Sequence, residues 1–324
     1  PVLFFGESTN GASRWLNIMG IPFQPSELAK GATILAVAQI LAAMQTPGGA
    51  DKSAFKFILI VSVPICLLIL FENFSTAFLL AVVVFLMMII GGVSWKQLGP
   101  TVGIVVLAGV LGVGAILMFG KTEAAPAKES NVMTERVEAK QDGAKRSGIF
   151  HRFDTWKKRI LKFADNEKVA PSDFDLDEDG QVGHARIAIV NSNCIGRGPG
   201  NSVQRDFLSQ AFSDFIFAII IEELGLFGAT VVCMLYIFLL FRTAKIANRC
   251  ENSFPAFRVM GLALLLTTQA MFNMMMAVGL GPVTGQPLPL ISKGGTSTII
   301  NCVYIGIILS VSHTAKKNPE LANA

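Results

Sequence analysis

Seven apolar stretches, at approximately Glu27–Thr46, Ala54–Phe71, Ser75–Gly92, Leu98–Gly120, Asp214–Phe241, Phe257–Leu280 and Thr296–His313, constrain this chain more than any other feature. A helix advances about 1.5 Å per residue, so roughly 20 apolar residues cross a hydrocarbon core about 30 Å thick. The last stretch is only marginally long. Lipid offers backbone amides no partners, which restricts spanning segments to helices or closed barrels, and these runs lack the two-residue alternation of a barrel strand. The sequence therefore predicts an all-α polytopic transmembrane bundle. Composition agrees: 52% of the 324 residues are hydrophobic and 15% charged, which excludes a soluble globule. Most of the charge is concentrated between Lys121 and Arg205. The expected organisation is membrane spans in 1–120, a polar insert over 121–213 and further spans in 214–324.

The net charge of +4 is small and forms no basic stripe interleaved with aromatics, so nucleic acid is not an expected partner. Cys66, Cys233 and Cys302 lie in apolar runs, Cys250 in a short basic loop and Cys194 in the insert, a distribution that builds no disulfide framework. The chain starts at Pro1 without a signal-peptide pattern and reads as truncated at its start. Short loops on one side hold Lys52, Lys56, Lys96, Arg242, Lys245, Arg249, Arg258, Lys316 and Lys317, against Arg14 and Lys293 on the other. The richer side is expected to be cytoplasmic, which places the C-terminus inside and the 121–213 insert outside. Within the insert, His151–Phe163 carries Phe153, Trp156, Ile160 and Phe163 at helical spacing and reads as a short amphipathic helix.

Ionisable residues inside spans are candidates for function because burying them is costly. Glu27 and Lys30 lie three apart on one face of the first span, as a structural ion pair or a functional one. Glu222 and Glu223 lie about two turns inside the fifth span with no cation nearby in sequence, and either line a substrate cavity or lock helices together. Asp214 stands where the insert enters that span. Partial desolvation there would favour a general base, and the competing reading is a first-turn residue satisfying free amides. The Gly279–Gly295 loop, rich in Gly and Pro and poor in charge, is expected to fold back into an outward-facing cavity, where its amides and Lys293 suit an anionic head group. Asp175–Val182 resembles the first half of a calcium loop but meets Arg186 where a bidentate Glu belongs, so a solvated acidic turn is favoured. Gly196–Gly200 lacks the strand and helix context of a nucleotide-binding loop, and no metal-ligand cluster of His and Cys is visible.

Several of these residues fall in ordered motifs. Phe23-Gln24-Pro25-Ser26-Glu27-Leu28-Ala29-Lys30, preceded by Gly11–Trp15, resembles the start of the fourth span in the SEDS family of bacterial morphogenesis and division proteins, FtsW, RodA and SpoVE. Gly198–Arg205, Ser213–Ala218, Glu222–Gly225 and Gly285–Gly295 continue the resemblance in order and cover nearly the whole chain. The Gly-Asn-Ser-Val-Gln run at 200–204 is more similar to the FtsW and SpoVE branch than to RodA.

The resemblance implies a ten-span fold of which this chain carries spans four to ten. It also implies a peptidoglycan glycosyltransferase of the bacterial cytoplasmic membrane that polymerises lipid II during division. The implied partners are a class B penicillin-binding protein and other division-complex membrane proteins. Asp214 matches the family's catalytic aspartate. Arg14, Gln24, Glu27, Lys30, Arg205, Glu222, Glu223 and Lys293 become substrate-binding candidates, with room for a divalent cation, Mg2+ or Mn2+, at the pyrophosphate. The chain departs from the family pattern at Phe212-Ser213, where His-Thr is usual, at Lys293 in place of a common Tyr, and at Glu72 and Ser75 in an Asp-Leu-Gly-Thr motif. Two other functions use the same intramembrane charges: a lipid II flippase, and a noncatalytic scaffold for the penicillin-binding protein. A flippase requires polar residues continuing to the cytoplasmic end, whereas the fifth span below Glu223 stays apolar to Phe241.

Overall fold

The computed structural model describes residues 7–9, 12–18, 21–103, 114, 180–208, 211–281 and 285–316. By contact the chain divides into two compact units, residues 1–95 with 175–324, and residues 96–174. The first unit holds the spanning helices α1 (Pro25–Ala43), α2 (Lys52–Glu72), α3 (Phe74–Ile90), α5 (Ile216–Ala247), α6 (Ser253–Ala277) and α7 (Thr296–Lys316), with a shorter α4 (Gly180–Val190) before α5. Of the six, all but the 17-residue α3 are long and apolar enough to cross a membrane. The predicted span Leu98–Gly120 is helical to residue 103, and the rest of it, apart from residue 114, lies outside the described residues. The predicted helix at His151–Phe163 and the acidic Asp175–Asp179 turn also lie outside them.

Helix boundaries follow from local chemistry. Pro25 opens α1, where its missing N–H has no helical partner to lose. Asp51 caps α2, its Oδ1 accepting from the Ser53 N–H at 2.8 Å and from the Ser53 hydroxyl at 3.0 Å. These bonds to the charged form hold the Asp51 carboxyl below the ordinary carboxylate range. Asn73 alone separates α2 from α3: its N–H closes α2 on Ile69, and its Oδ1 accepts from the Ser75 and Thr76 amides.

Short strands accompany the helices, which the sequence reading did not anticipate. Glu7–Thr9, Ala12–Ile18 and Ile21–Phe23 form an antiparallel sheet in the order β1-β2-β3, and Gln45–Thr46 pairs with Gly49–Ala50 as β4 and β5 between α1 and α2. Segments this short cannot span, and hairpin pairing satisfies their backbone groups instead. α6 is the hub, with 67% of its spanning window buried against 22% for α2 and α5. It packs on α1, α3, α5 and α7. The α5 side chains Leu226, Phe227, Leu235 and Phe238 are exposed, as expected of a helix that faces lipid.

Part of the polar insert belongs to the bundle. Val182, Ala185 and Ile189 recur at helical spacing along α4 and pack on Phe215, Ala218, Ile219 and Met276 of α5 and α6. α5 itself is not continuous. At Gly225 the backbone turns to φ 67°, ψ −167°, and the helix breaks within its third turn. The segment before α5 runs through this gap, so that carbonyls freed by the break accept from the Arg197 N–H (to Glu222, 3.0 Å) and the Gly198 N–H (to Glu223, 2.9 Å). The Phe227 N–H in turn donates to the Cys194 carbonyl at 3.2 Å. A Cβ at Gly225 would lie 2.4 Å from the Cys194 oxygen, and the positive φ also favours glycine. The apolar reading of this span missed the break because Leu224-Gly225-Leu226 carries no polar residue to mark it.

Candidate active site

Asp214 lies in the turn immediately before α5, two residues short of the helix, and is partly buried. The three successive carbonyls of this turn are each tied to a different group. The Lys293 N–H donates to Phe212 at 2.8 Å, the Ser292 hydroxyl to Ser213 at 2.6 Å, and the Asn273 side-chain amide to Asp214 at 2.8 Å. Backbone fixed this way holds its side chain in a narrow range of positions. The Ser213 hydroxyl donates to Asp214 Oδ1 at 2.9 Å, so the residue that replaces the family's Thr still supplies a donor to the carboxylate. Gly285, at φ 64°, lies against the other oxygen, where an added Cβ would stand 3.5 Å from Oδ2.

The loop that supplies these ties folds back into the bundle, as its sequence predicts. Gln286, Leu288 and Ser292 are buried. The Gln286 side-chain amide donates to the Thr76 hydroxyl of α3 at 2.7 Å, and the Gln286 backbone carbonyl accepts from the Asn273 side-chain amide at 2.7 Å. The Gln269 amide donates to the Pro287 carbonyl at 3.1 Å, the Tyr236 hydroxyl to the Pro289 carbonyl, and the Ser292 hydroxyl accepts from the Leu288 N–H at 2.7 Å. Leu290 sits at φ 67°, in the left-handed region that leucine rarely adopts, so the loop is held against local preference by its surroundings.

Lys30, with none of its surface exposed, donates to Glu27 Oε1 at 2.8 Å and to Gln269 Oε1 at 2.9 Å. Through Gln269 the pair is connected to the same loop. The Tyr304 hydroxyl of α7 donates to the Glu27 carbonyl at 2.6 Å. Glu27 Oε2, Asn273 Oδ1 and Gln286 Oε1 are buried with no hydrogen-bond partner among the described residues. The Glu27–Lys30 pair therefore joins α1 to α6 and, through Gln269, to the loop.

Of the two sequence readings of Glu222, its contacts match the locking one. Its carboxylate, 0% exposed, accepts from the Ser202 hydroxyl at 2.5 Å and from the Val203 and Gln204 N–H groups at 3.2 and 3.3 Å, with Arg197 Nη1 at 3.7 Å. The cation absent from its sequence neighbourhood arrives with the Gly196–Arg205 segment, and the acid is consumed in locking that segment. Glu223 is half-buried, and its backbone carbonyl takes the Gly198 amide. Arg205 pairs with Asp206 at 3.4 Å, so its charge is not wholly available to a ligand. Lys293 is exposed beside the Asp214 turn, and Gln24 bonds the Ser26 hydroxyl at 3.0 Å at the start of α1. Arg14 lies in β2, its side chain outside the described residues.

Sequence reasoning missed Asn273, Gln269, Ser292 and Ser202, which connect these groups. Each is a single polar residue in an apolar or loop context. Asn273 and Gln269, four apart on α6 and almost wholly buried, carried the detectable signal.

No three His, Cys, Asp or Glu residues converge to hold a metal ion among the described residues. Mg2+ held jointly with substrate phosphates needs only one or two protein carboxylates. The partly exposed Asp214 can supply one, so the donor set fits a shared ion and not a protein-caged one.

The fold and site define a polytopic membrane protein with a carboxylate fixed at one end of the bundle beneath a re-entrant loop. The family model for FtsW, RodA and SpoVE, described as cell cycle proteins, matches residues 1–317, and the chain belongs to this family. Among curated relatives, the peptidoglycan glycosyltransferase MrdB of Escherichia coli K12 is 30% identical over 315 residues, covering 97% of this chain and 74% of its own length. The probable peptidoglycan glycosyltransferase FtsW of Geobacter sp. M18 is 30% identical over 309 residues, covering 95% and 73%. Two solved structures share the fold. A chain from work on structural coordination of polymerization and crosslinking by a peptidoglycan synthase complex superposes with TM-score 0.64 at 23% identity, covering 98% of this chain and 78% of that one. The rod shape determining protein RodA of Thermus thermophilus gives 0.56 at 22%, covering 96% and 73%.

Proposed function

We propose that this chain is a peptidoglycan glycosyltransferase that polymerises lipid II at the outer face of the bacterial cytoplasmic membrane, with Asp214 as general base. The observation that carries the reading is the Asp214 turn, whose three carbonyls are each anchored while its carboxylate stays partly exposed. Polymerisation asks for one base. It takes the proton from the acceptor sugar 4-hydroxyl as that oxygen attacks the donor anomeric carbon, and in-line displacement converts an α-linked pyrophosphate into a β-1,4 bond. Lys293 and the loop amides beside it, with Arg14 from β2, would receive the departing undecaprenyl pyrophosphate. A divalent ion held by Asp214 and the substrate phosphates would neutralise charge on that leaving group.

The charge bias of the loops supports an orientation with the Asp214 end outside and the C-terminus cytoplasmic. Within the described spanning helices every Asp, Glu, Lys, Arg and His lies near one end or the other and none at mid-span, which favours surface chemistry over a transport path. The names of the relatives support the activity. The Gly-Asn-Ser-Val-Gln run supports a division role beside a class B penicillin-binding protein and other division-complex membrane proteins, although relatives of both the MrdB and FtsW types match.

The test is incubation of the full-length protein and its transpeptidase with lipid II, with glycan chains resolved on a gel for wild type and Asp214→Ala. Long glycans from wild type and none from the variant are expected. Wild-type polymer from the variant would exclude the base. Protein-dependent crossing of fluorescent lipid II in liposomes without polymer would establish a flippase instead.

A further inference from the structure

At the end of the bundle opposite Asp214, the turn after α5, the start of α6 and the end of α7 converge on a cavity of about 130 Å³ whose wall includes Arg249, Cys250, Asn252, Arg258 and Thr314. This is well above the roughly 10–15 Å³ that one water requires. A smaller cleft beside it is lined by Arg242, Lys245, Arg249 and Ser312, so Arg249 borders both. Arg242 and Lys245 lie three apart on one face at the end of α5, and Arg249 follows in the turn just beyond it.

None of the four cations has an ion pair among the described residues. Lys245 rests over the Phe241 ring at 4.7 Å and the Arg258 guanidinium over Phe254 at 5.3 Å, contacts that orient the charges without neutralising them. Arg258 Nε is buried with no hydrogen-bond acceptor among the described residues. Glu251 also lines the larger cavity, where Arg249 and Arg258 outnumber it. The α6 N-terminus opens here as well, and its cap residue Asn252 makes no side-chain bond to the free amides.

A general excess of cations at this end follows from membrane topology alone. The convergence of Arg249 and Arg258 on one cavity, neither with an ion pair among the described residues, does not. We propose that this cavity binds the phosphate of an anionic phospholipid from the adjoining leaflet. The phosphodiester oxygens would accept from the guanidinium groups of Arg249 and Arg258 that border the cavity, and the acyl chains would lie along the exposed apolar faces of α5 and α7. Arginine suits this role because its planar fork presents several donors to one phosphate, and the cavity opens at the level where head groups lie. The proposal rests on the chain's membrane placement and not on the role of Asp214.

The test uses the full-length protein in phosphatidylcholine nanodiscs doped with a photoactivatable phosphatidylglycerol, with peptide mapping of the crosslinks. Labelling concentrated in residues 242–258 and 311–316 is expected. Removing one cation near a charged lipid weakens the contact about fivefold, so the double variant Arg249→Gln/Arg258→Gln should lose at least about tenfold of this labelling. Lys56→Gln, which removes a cation elsewhere at the same membrane face, should lose none. Arg258→Lys keeps the charge but removes the planar fork of donors and should fall between; it also serves if the double variant does not fold. Equal labelling by a photoactivatable phosphatidylcholine, or undiminished labelling of folded variants, would overturn the proposal. Displacement of the label by millimolar inorganic phosphate alone would assign the site to a free anion and overturn the lipid.

Discussion

Replacing Glu222 with Gln tests whether this acid locks the Gly196–Arg205 segment or binds substrate. The change keeps the side-chain volume but converts one oxygen into an amide donor. Both oxygens face donors: Oε2 accepts from the Ser202 hydroxyl and the Gln204 N–H, while Oε1 accepts from the Val203 N–H and faces Arg197. Ser202 can turn its hydroxyl to accept, but a backbone N–H cannot. Either amide orientation therefore sets N–H against N–H at a fully buried position. Bonds to a charged acceptor contribute about 1.5–3 kcal/mol each, so losing at least one backbone donor costs roughly 1.5–3 kcal/mol or more of local stability. At about 1.36 kcal/mol per factor of ten, the segment's opening equilibrium rises by at least about tenfold. Hydrogen exchange on the amides of residues 196–205 reads this directly. Wild-type protection in Glu222→Gln would refute the locking argument. Unchanged protection with a raised KM for lipid II would return Glu222 to the substrate.

Three other substitutions probe the frame around the site. Ala at Gly225 brings a Cβ to 2.4 Å from the Cys194 oxygen and forces the 193–198 segment out of the break in α5, so thermal unfolding should show a loss above about 2 kcal/mol. Lys30→Met strands the buried Glu27 carboxylate and should cost about 3–5 kcal/mol, with much of it restored in Lys30→Met/Glu27→Gln; unfolding of the single and double variants in one detergent checks this. Asn273→Ala removes the donor shared by the Asp214 and Gln286 carbonyls, each then costing about 1–3 kcal/mol. In that variant kcat for polymerisation should fall more than the affinity for lipid II. Selective loss of affinity with full kcat would mean that Asn273 does not position the turn.

The spans were legible because lipid permits few backbone solutions, and an apolar run long enough to cross has almost no alternative to a helix. Asp214, the Glu27–Lys30 pair and the folded-back loop at 285–295 were legible for the related reason that polar or helix-breaking residues at a membrane boundary require an explanation. What escaped the sequence depends on long-range contact. Glu222 looked unpartnered because Arg197 and Ser202 reach it through a segment about 20 residues upstream. That segment enters α5 at a glycine flanked only by leucines. Asn273 reads as one amide in an apolar helix, and its two carbonyl partners lie 59 residues before it and 13 after. The β1-β2-β3 hairpins were missed because attention to spanning length discards short segments between spans.

The central claim concerns one carboxylate, and Asp214→Asn tests it, since the amide keeps the size and can still accept from Ser213 while losing the capacity to take a proton and the charge that would hold a divalent ion. The initial rate of lipid II polymerisation by the full-length protein with its transpeptidase, measured beside the unfolding temperature, is the decisive quantity. The account predicts a rate lower by at least about 10²-fold at unchanged stability. An Asn variant that polymerises at the wild-type rate would contradict it.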